Sequence, residues 1–325
     1  MSKKLGGIAA LLWAVNLFAI FGLLALLYFS GVLSAAAWSE PRLNAALVTP
    51  AKSPTRTPFP TFTLLPKQTR RPTITPWPTP SPGPSVTPMV MPPANRQVIG
   101  RSEEGRPLEV YRFGRGAVHK LIVAGIHGGY EYNTVKLADE LIAFLFDHPE
   151  VIPADTSLFI LRNLNPDGSA RAMGVEGRAN ANNVDLNRNW PYNWQKDWER
   201  DGCWIWRPIE GGEREGSEAE VQALITYIDH IKPIALISYH SAALGIFAGG
   251  RPDFPPSIRL AEDVAEVSNY PWPPIDTGCD YTGNLTDWAA NTRGIPAIDI
   301  ELTNHRDTDF AQNLRVLQVF LGWRP

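Results

Sequence analysis

Fourteen of the 30 prolines in this chain fall between Pro50 and Ala94, and that distribution sets the limits of any folded domain. Proline removes a backbone donor and fixes φ, so a stretch this dense in it forms neither helix nor sheet and acts as an extended, partly stiff spacer. The segment before it is equally distinctive. Residues 5–37 carry no charge, and Asn16 and two serines are the main polar side chains. A membrane-crossing helix needs about 20 apolar residues, which this run exceeds, whereas the apolar core of a cleaved leader is usually about 7–15 residues long. Ala35 and Ala37 supply the small-residue pattern that a cleavage site would need. The length argues for a retained anchor in residues 1–38, with Lys3 and Lys4 keeping the amino terminus in the cytoplasm. A linker over 39–96 and a folded domain over 97–325 then lie on the outer side.

Charge divides the chain in the same way. Between Pro41 and Ser102 there is no acid, while eight Lys and Arg residues make the linker basic. It suits attraction to anionic lipid or wall polymer, or serves only as a solvated spacer. Beyond residue 102 there are 20 basic and 32 acidic side chains, a balance of −12 (20 minus 32). Nucleic acid is excluded as a partner on that ground, since phosphate neutralisation needs the opposite sign. Cys203 and Cys279 are the only cysteines, and outside a membrane they are free to pair or not. A monomer is expected.

From residue 97 onward, apolar runs at 121–126, 157–162, 234–239 and 296–300 read as buried strands. Amphipathic patterns near 133–147, 217–231, 257–268, 284–293 and 309–321 read as helices, and Ser217 with Glu220 has the spacing of a capping box. Alternating strands and helices imply an α/β fold, a sheet covered on both faces by helices. Ligands of such folds gather beyond the carboxyl ends of the strands.

Two of the six histidines sit at that address. His127 follows the run LIVAGI and is followed in turn by Glu131, while His240 ends IALISY. A catalytic zinc takes three N or O ligands and keeps one open position. A lone histidine is more often a hydrogen-bonded core or surface residue, but two at matching strand ends shift that balance. Glu301 ends the run IPAIDI, where a carboxylate is costly unless it is paired or working. Asn187 and Arg188, in VDLNRNW, suit a substrate carboxylate, with a bidentate guanidinium and a neutral amide donor.

Together with IGRSEEGRPL, NLNPDG, ISYHS and IELTNHRD, that motif resembles the zinc carboxypeptidase family of carboxypeptidase A type. The likeness spans roughly residues 97–325 and is nearest to the bacterial branch that acts on murein peptides. It implies one zinc on His127, Glu131 and His240, Glu301 as general base, and Arg178 polarising the scissile carbonyl. Asn187 and Arg188 would hold a terminal carboxylate, and Tyr281 would close over the substrate. One departure stands out: the family's H-x-x-E is here H-x-x-x-E, with Gly128 and Gly129 giving the backbone latitude. An i, i+4 pair still shares one face of a helical turn.

The implied chemistry is hydrolysis of an amide beside a free carboxylate in a peptide, wall stem peptides among them. Two other readings remain: a deacylase of aspartoacylase or desuccinylase type, and a non-catalytic binding module. Trp190, Trp194, Trp198, Trp204 and Trp206 crowd one segment, either rimming a cleft or packing a loop.

Overall fold

The computed structural model describes residues 96–197, 210–242, 244–279 and 282–325. The expected anchor and nearly all of the linker lie outside the described residues. So do Tyr281, Cys203, Trp198, Trp204 and Trp206. Among the described residues, Cys279 is disulfide-bonded.

Seven strands form one sheet: β1 (Arg96–Arg101), β2 (Pro107–Gly114), β3 (Val118–Val123), β4 (Thr156–Leu161), β5 (Ala235–Ser241), β6 (Ile246–Ala248) and β7 (Ala297–Leu302), in the order β1-β2-β4-β3-β5-β7-β6. The central strands β4, β3, β5 and β7 run parallel, and the flanking β1, β2 and β6 pair antiparallel. The sheet is therefore mixed. Every residue of β4 and β5 is buried, as parallel strands covered on both faces require.

Among the described residues, six α-helices accompany the sheet: α1 (Tyr132–Asp147), α2 (Pro166–Arg171), α3 (Ala219–Ile231), α4 (Pro255–Val267), α5 (Leu285–Arg293) and α6 (Phe310–Gly322). On one face Leu141, Leu260 and Val316, from α1, α4 and α6, pack on Ile122, Ile160, Ile237 and Ile300. On the other, Val221 and Leu224 of α3 and Trp288 of α5 pack on Leu121, Phe159, Leu236 and Ala297. The strand register puts alternate side chains into each layer, so the expected helices on both faces are present. Lys120 is fully buried and donates from Nζ to the carbonyls of Phe320, Leu321 and Trp323, closing the carboxyl end of α6.

Two local expectations need correction. Ser217 and Glu220 do not form a capping box, because α3 starts later, with Glu218 at its N-cap and no side-chain cap hydrogen bond. Glu220 turns instead toward the Glu103 N–H and Asn180. The first expected strand ends at Val123, and residues 124–126 belong to the following turn. Gly125 there has φ +67°, and a Cβ would lie 2.4 Å from Asn163 Oδ1, so only glycine fits.

Candidate metal centre

Strand order creates the site. β3 sits between β4, to which the chain passes next, and β5, which lies on its other side, so a crevice opens where the strand order reverses. His127 follows β3, while His240 on β5 pairs in register with Glu301 on β7.

His127 and Glu131 are not on a helical face, contrary to the expected i, i+4 geometry. They lie in consecutive turns before α1, whose N-cap is Glu131. Gly128 N–H donates to Gly125 O at 3.0 Å and Tyr130 N–H to His127 O at 3.1 Å. Thr134 fastens the turn, donating from Oγ1 to Glu131 O at 2.8 Å and accepting from Gly125 N–H at 3.1 Å. The extra residue of H-x-x-x-E is absorbed in this double turn, and both side chains point to one place.

There Glu131 Oε1 lies 2.8 Å from His127 Nδ1, Glu131 Oε2 lies 3.1 Å from His240 Nδ1, and the two Nδ1 atoms are 3.2 Å apart. All three side chains are buried. Two imidazole nitrogens and one carboxylate, with ligand atoms within 4.8 Å of one another, make the donor set of a catalytic zinc. Two ring nitrogens so close are satisfied only by a proton or cation between them, so the residues fit the metal. The electrostatics agree. Burial works against charge on His240, yet the Asp299 and Glu131 carboxylates outweigh it and raise its pKa to about 10. Burial likewise opposes ionisation of Glu131, and the two histidines hold it far below its ordinary value.

Asp185 organises the next layer. It accepts from His127 Nε2 at 3.2 Å and Arg178 Nε at 2.9 Å, and it caps the 3-10 turn Leu186–Arg188 by accepting from Asn187 N–H at 2.8 Å. One fully buried carboxylate thereby ties a metal ligand to the guanidinium of Arg178 and to the turn carrying Asn187 and Arg188. Burial would raise its pKa, but Arg178 and His127 hold it well below the ordinary range.

His127, Glu131, His240, Arg178, Asn187, Arg188 and Glu301 all line one cleft of about 470 Å³. Asn187 Oδ1 accepts from Leu285 N–H at 3.0 Å, which leaves its amide nitrogen as the donor for the cleft. Among the described residues, Glu301 Oε2 is buried without a hydrogen-bond partner. Burial and the Glu131 charge push its pKa up to about 8.

A model of the zinc carboxypeptidase family matches residues 94–318. The chain belongs to that family. Murein peptide amidase A of Vibrio campbellii is 31% identical over 219 residues, covering 62% of this chain and 77% of that protein. The Escherichia coli K12 protein of the same name is 29% identical over 209 residues, covering 61% and 78%. Among solved structures, murein-tripeptide amidase from Escherichia coli O157 superimposes with a TM-score of 0.54 at 25% identity, over 72% of this chain and 94% of that one. Bovine thrombin-activatable fibrinolysis inhibitor matches with a TM-score of 0.58 at 18% identity, over 70% and 88%, a likeness of fold alone.

Several residues of this zinc carboxypeptidase centre escaped sequence reasoning. Asp185 stands inside the quoted VDLNRNW, where an acid before a turn reads as an ordinary cap. Asp299 lies two residues before Glu301, hence on the same strand face, and that alternation was the available signal. Tyr130 and His305 form a ring pair at 4.7 Å on the cleft wall, with the Arg178 guanidinium 5.6 Å from the Tyr130 ring centroid. Trp190 is wholly buried against Trp288 at 4.9 Å, and Trp194 Nε1 donates to Gly211 O. Both pack the loop and neither rims the cleft.

Proposed function

We propose that this member of the family hydrolyses an amide bond adjacent to a free carboxylate in a peptide, using one zinc held by His127, Glu131 and His240. The observation that carries the reading is the convergence of both Nδ1 atoms and Glu131 at the wall of a cleft that also holds Glu301 and Arg188. Bound zinc supplies Lewis acidity and lowers the pKa of water toward about 7.

The chain's own residues do the rest. Glu301, in its ionised form, takes a proton from the attacking water and delivers it to the amine nitrogen as the C–N bond breaks. Arg178, held by Asp185, directs a guanidinium at charge developing on the scissile carbonyl oxygen. Arg188 and Asn187 bind the carboxylate and set the distance from it to the bond that breaks. Tyr281 is assigned the closing role on resemblance alone.

The murein peptide amidases among its relatives make wall stem peptides the favoured substrates. The apolar run at 5–37 supports membrane anchorage with the catalytic domain outside. Protease treatment of intact cells should then release a soluble active fragment, and a protected linker would reverse the orientation.

The catalytic assignment is tested by substitution. Ala at His127, Glu131 or His240 should cost both metal and hydrolysis, whereas Glu301→Gln should keep zinc and fold and lose turnover. A Glu131→Ala protein with full zinc occupancy would remove Glu131 from the ligand set. Turnover of small N-acyl amino acids with indifference to peptides would favour the deacylase reading.

A further inference from the structure

Each metal-facing imidazole has two nitrogens, and the protein must decide which one carries the proton. In both rings Nδ1 faces Glu131 and the other ring, while Nε2 points away from the centre. Behind His127 the partner of Nε2 is Asp185. Behind His240 there are two neighbours, Ser238 Oγ at 2.9 Å and Asp299 Oδ1 at 3.3 Å.

Strand register explains their placement. Ser238 pairs with Asp299 as His240 pairs with Glu301, so residues two apart share a face and Asp299 lies one step beneath Glu301, under the His240 ring. Thr286 Oγ1 donates to Asp299 Oδ2 at 2.7 Å and fixes the carboxylate. Asp299 Oδ1 is left buried, with no well-angled hydrogen bond among the described residues. A buried carboxylate oxygen in that condition is costly unless a donor is near, and His240 Nε2 is the donor beside it.

The two neighbours differ in what they can enforce. A serine hydroxyl donates or accepts, so Ser238 satisfies either tautomer of His240. A carboxylate only accepts. It favours the tautomer with hydrogen on Nε2, which leaves the Nδ1 lone pair for a metal.

We propose that Asp299 is a positioning residue that selects the Nε2–H tautomer of His240 and so presents Nδ1 to zinc, repeating behind the second imidazole what Asp185 does behind the first. The inference rests on the metal reading of His127, Glu131 and His240. Asp299 acts through His240 and needs no contact with substrate.

The test uses the full-length chain and zinc alone. Zinc affinity is measured by chelator competition for wild type, Asp299→Asn and Ser238→Ala, with melting of each metal-free protein as a control for fold. Imidazole nitrogen resonances of the zinc-loaded proteins report the His240 tautomer. Asp299→Asn should weaken zinc binding by roughly 10–100-fold, as loss of an outer-shell partner typically does, and shift the His240 Nε2–H signal. Ser238→Ala should change either one less. Should Asp299→Asn fold poorly, Thr286→Val, which releases the same carboxylate, should show a smaller loss in the same direction. Wild-type affinity and an unmoved His240 signal in Asp299→Asn would overturn the inference, as would Ser238→Ala carrying the larger loss. A wild-type chain that takes up no zinc would instead overturn the metal reading itself.

Discussion

Replacing Gly129 by Ala adds a single methyl group between the two ligands of H-x-x-x-E, and the structure sets what it must displace. An ideal Cβ at Gly129 would lie 1.8 Å from Ala172 O and 3.2 Å from Gly168 O. Real Cβ contacts do not fall below 3.0 Å, so about 1.2 Å of movement (3.0 minus 1.8) is needed. Neither side yields easily. Gly129 N–H donates to Gly177 O at 3.1 Å, and Gly129 O accepts from Gly174 N–H at 3.0 Å. Behind Ala172, α2 is tied down by Asn165, which caps it and donates to Arg178 O. Overpacking of this kind costs about 1–3 kcal/mol. Metal–ligand distances tolerate only about 0.2 Å, so a shift of this size passed on to Glu131 removes it as a ligand. Gly129→Ala should lower the melting temperature of the metal-free protein and weaken zinc by about tenfold or more in chelator competition. Gly322→Ala, where a Cβ meets nothing within 4 Å, is the control. Unchanged melting and zinc affinity in Gly129→Ala would refute the claim that close packing of this turn places the ligands.

Lys120→Met should retain the volume of the side chain but leave the carbonyls of Phe320, Leu321 and Trp323 short of a buried donor, costing about 2–3 kcal/mol in urea unfolding. Arg324, which donates to some of the same carbonyls, limits the loss. Glu220 is wholly buried, and burial raises its pKa from 4.5 to about 7. The folded state therefore keeps a proton that the unfolded state has lost. That contribution is full below pH 4.5 and fades as pH rises through about 7, up to about 3 kcal/mol. Between pH 5 and pH 8 wild type should lose stability relative to Glu220→Gln, and parallel curves for the two would contradict the assignment. Arg178→Ala should depress kcat far more than zinc content, since the guanidinium touches the ligand set only at 3.5 Å from Glu131.

The parts of the fold legible in the sequence were those with one strong period. The apolar runs of β3, β4, β5 and β7 and the amphipathic patterns of the five longer helices announce themselves because burial on two faces or one leaves opposite signatures. β1 and β2 were hidden because neither is an unbroken apolar run, β1 having no buried residue and β2 being interrupted by Glu109 and Arg112, and β6 is only three residues long. The candidate ligands were visible because His127 and His240 break apolar runs at matching ends. Their supporting carboxylates were not, since the duty of Asp185 or Asp299 depends on which strand and turn lie alongside, and sequence spacing does not give that. The turn conformation of residues 124–131 was also out of reach: an i, i+4 spacing is shared by a helix face and by two successive turns, and only the packing of Gly125 and Gly129 against neighbouring backbone decides between them.

The central claim, a zinc-dependent hydrolase that demands a free carboxylate beside the scissile amide, is tested most directly with two matched peptides, one free and one amidated at the carboxyl terminus. Arg188 is buried at the cleft wall, 4% exposed, where a bidentate charge-assisted bond to a carboxylate is roughly twice as strong as a bond to a neutral amide. Zinc-loaded wild type should cleave the free peptide and turn over the amidated one at least about a hundredfold more slowly, and Arg188→Ala should nearly erase that difference. Equal cleavage of both peptides by wild type would contradict the account.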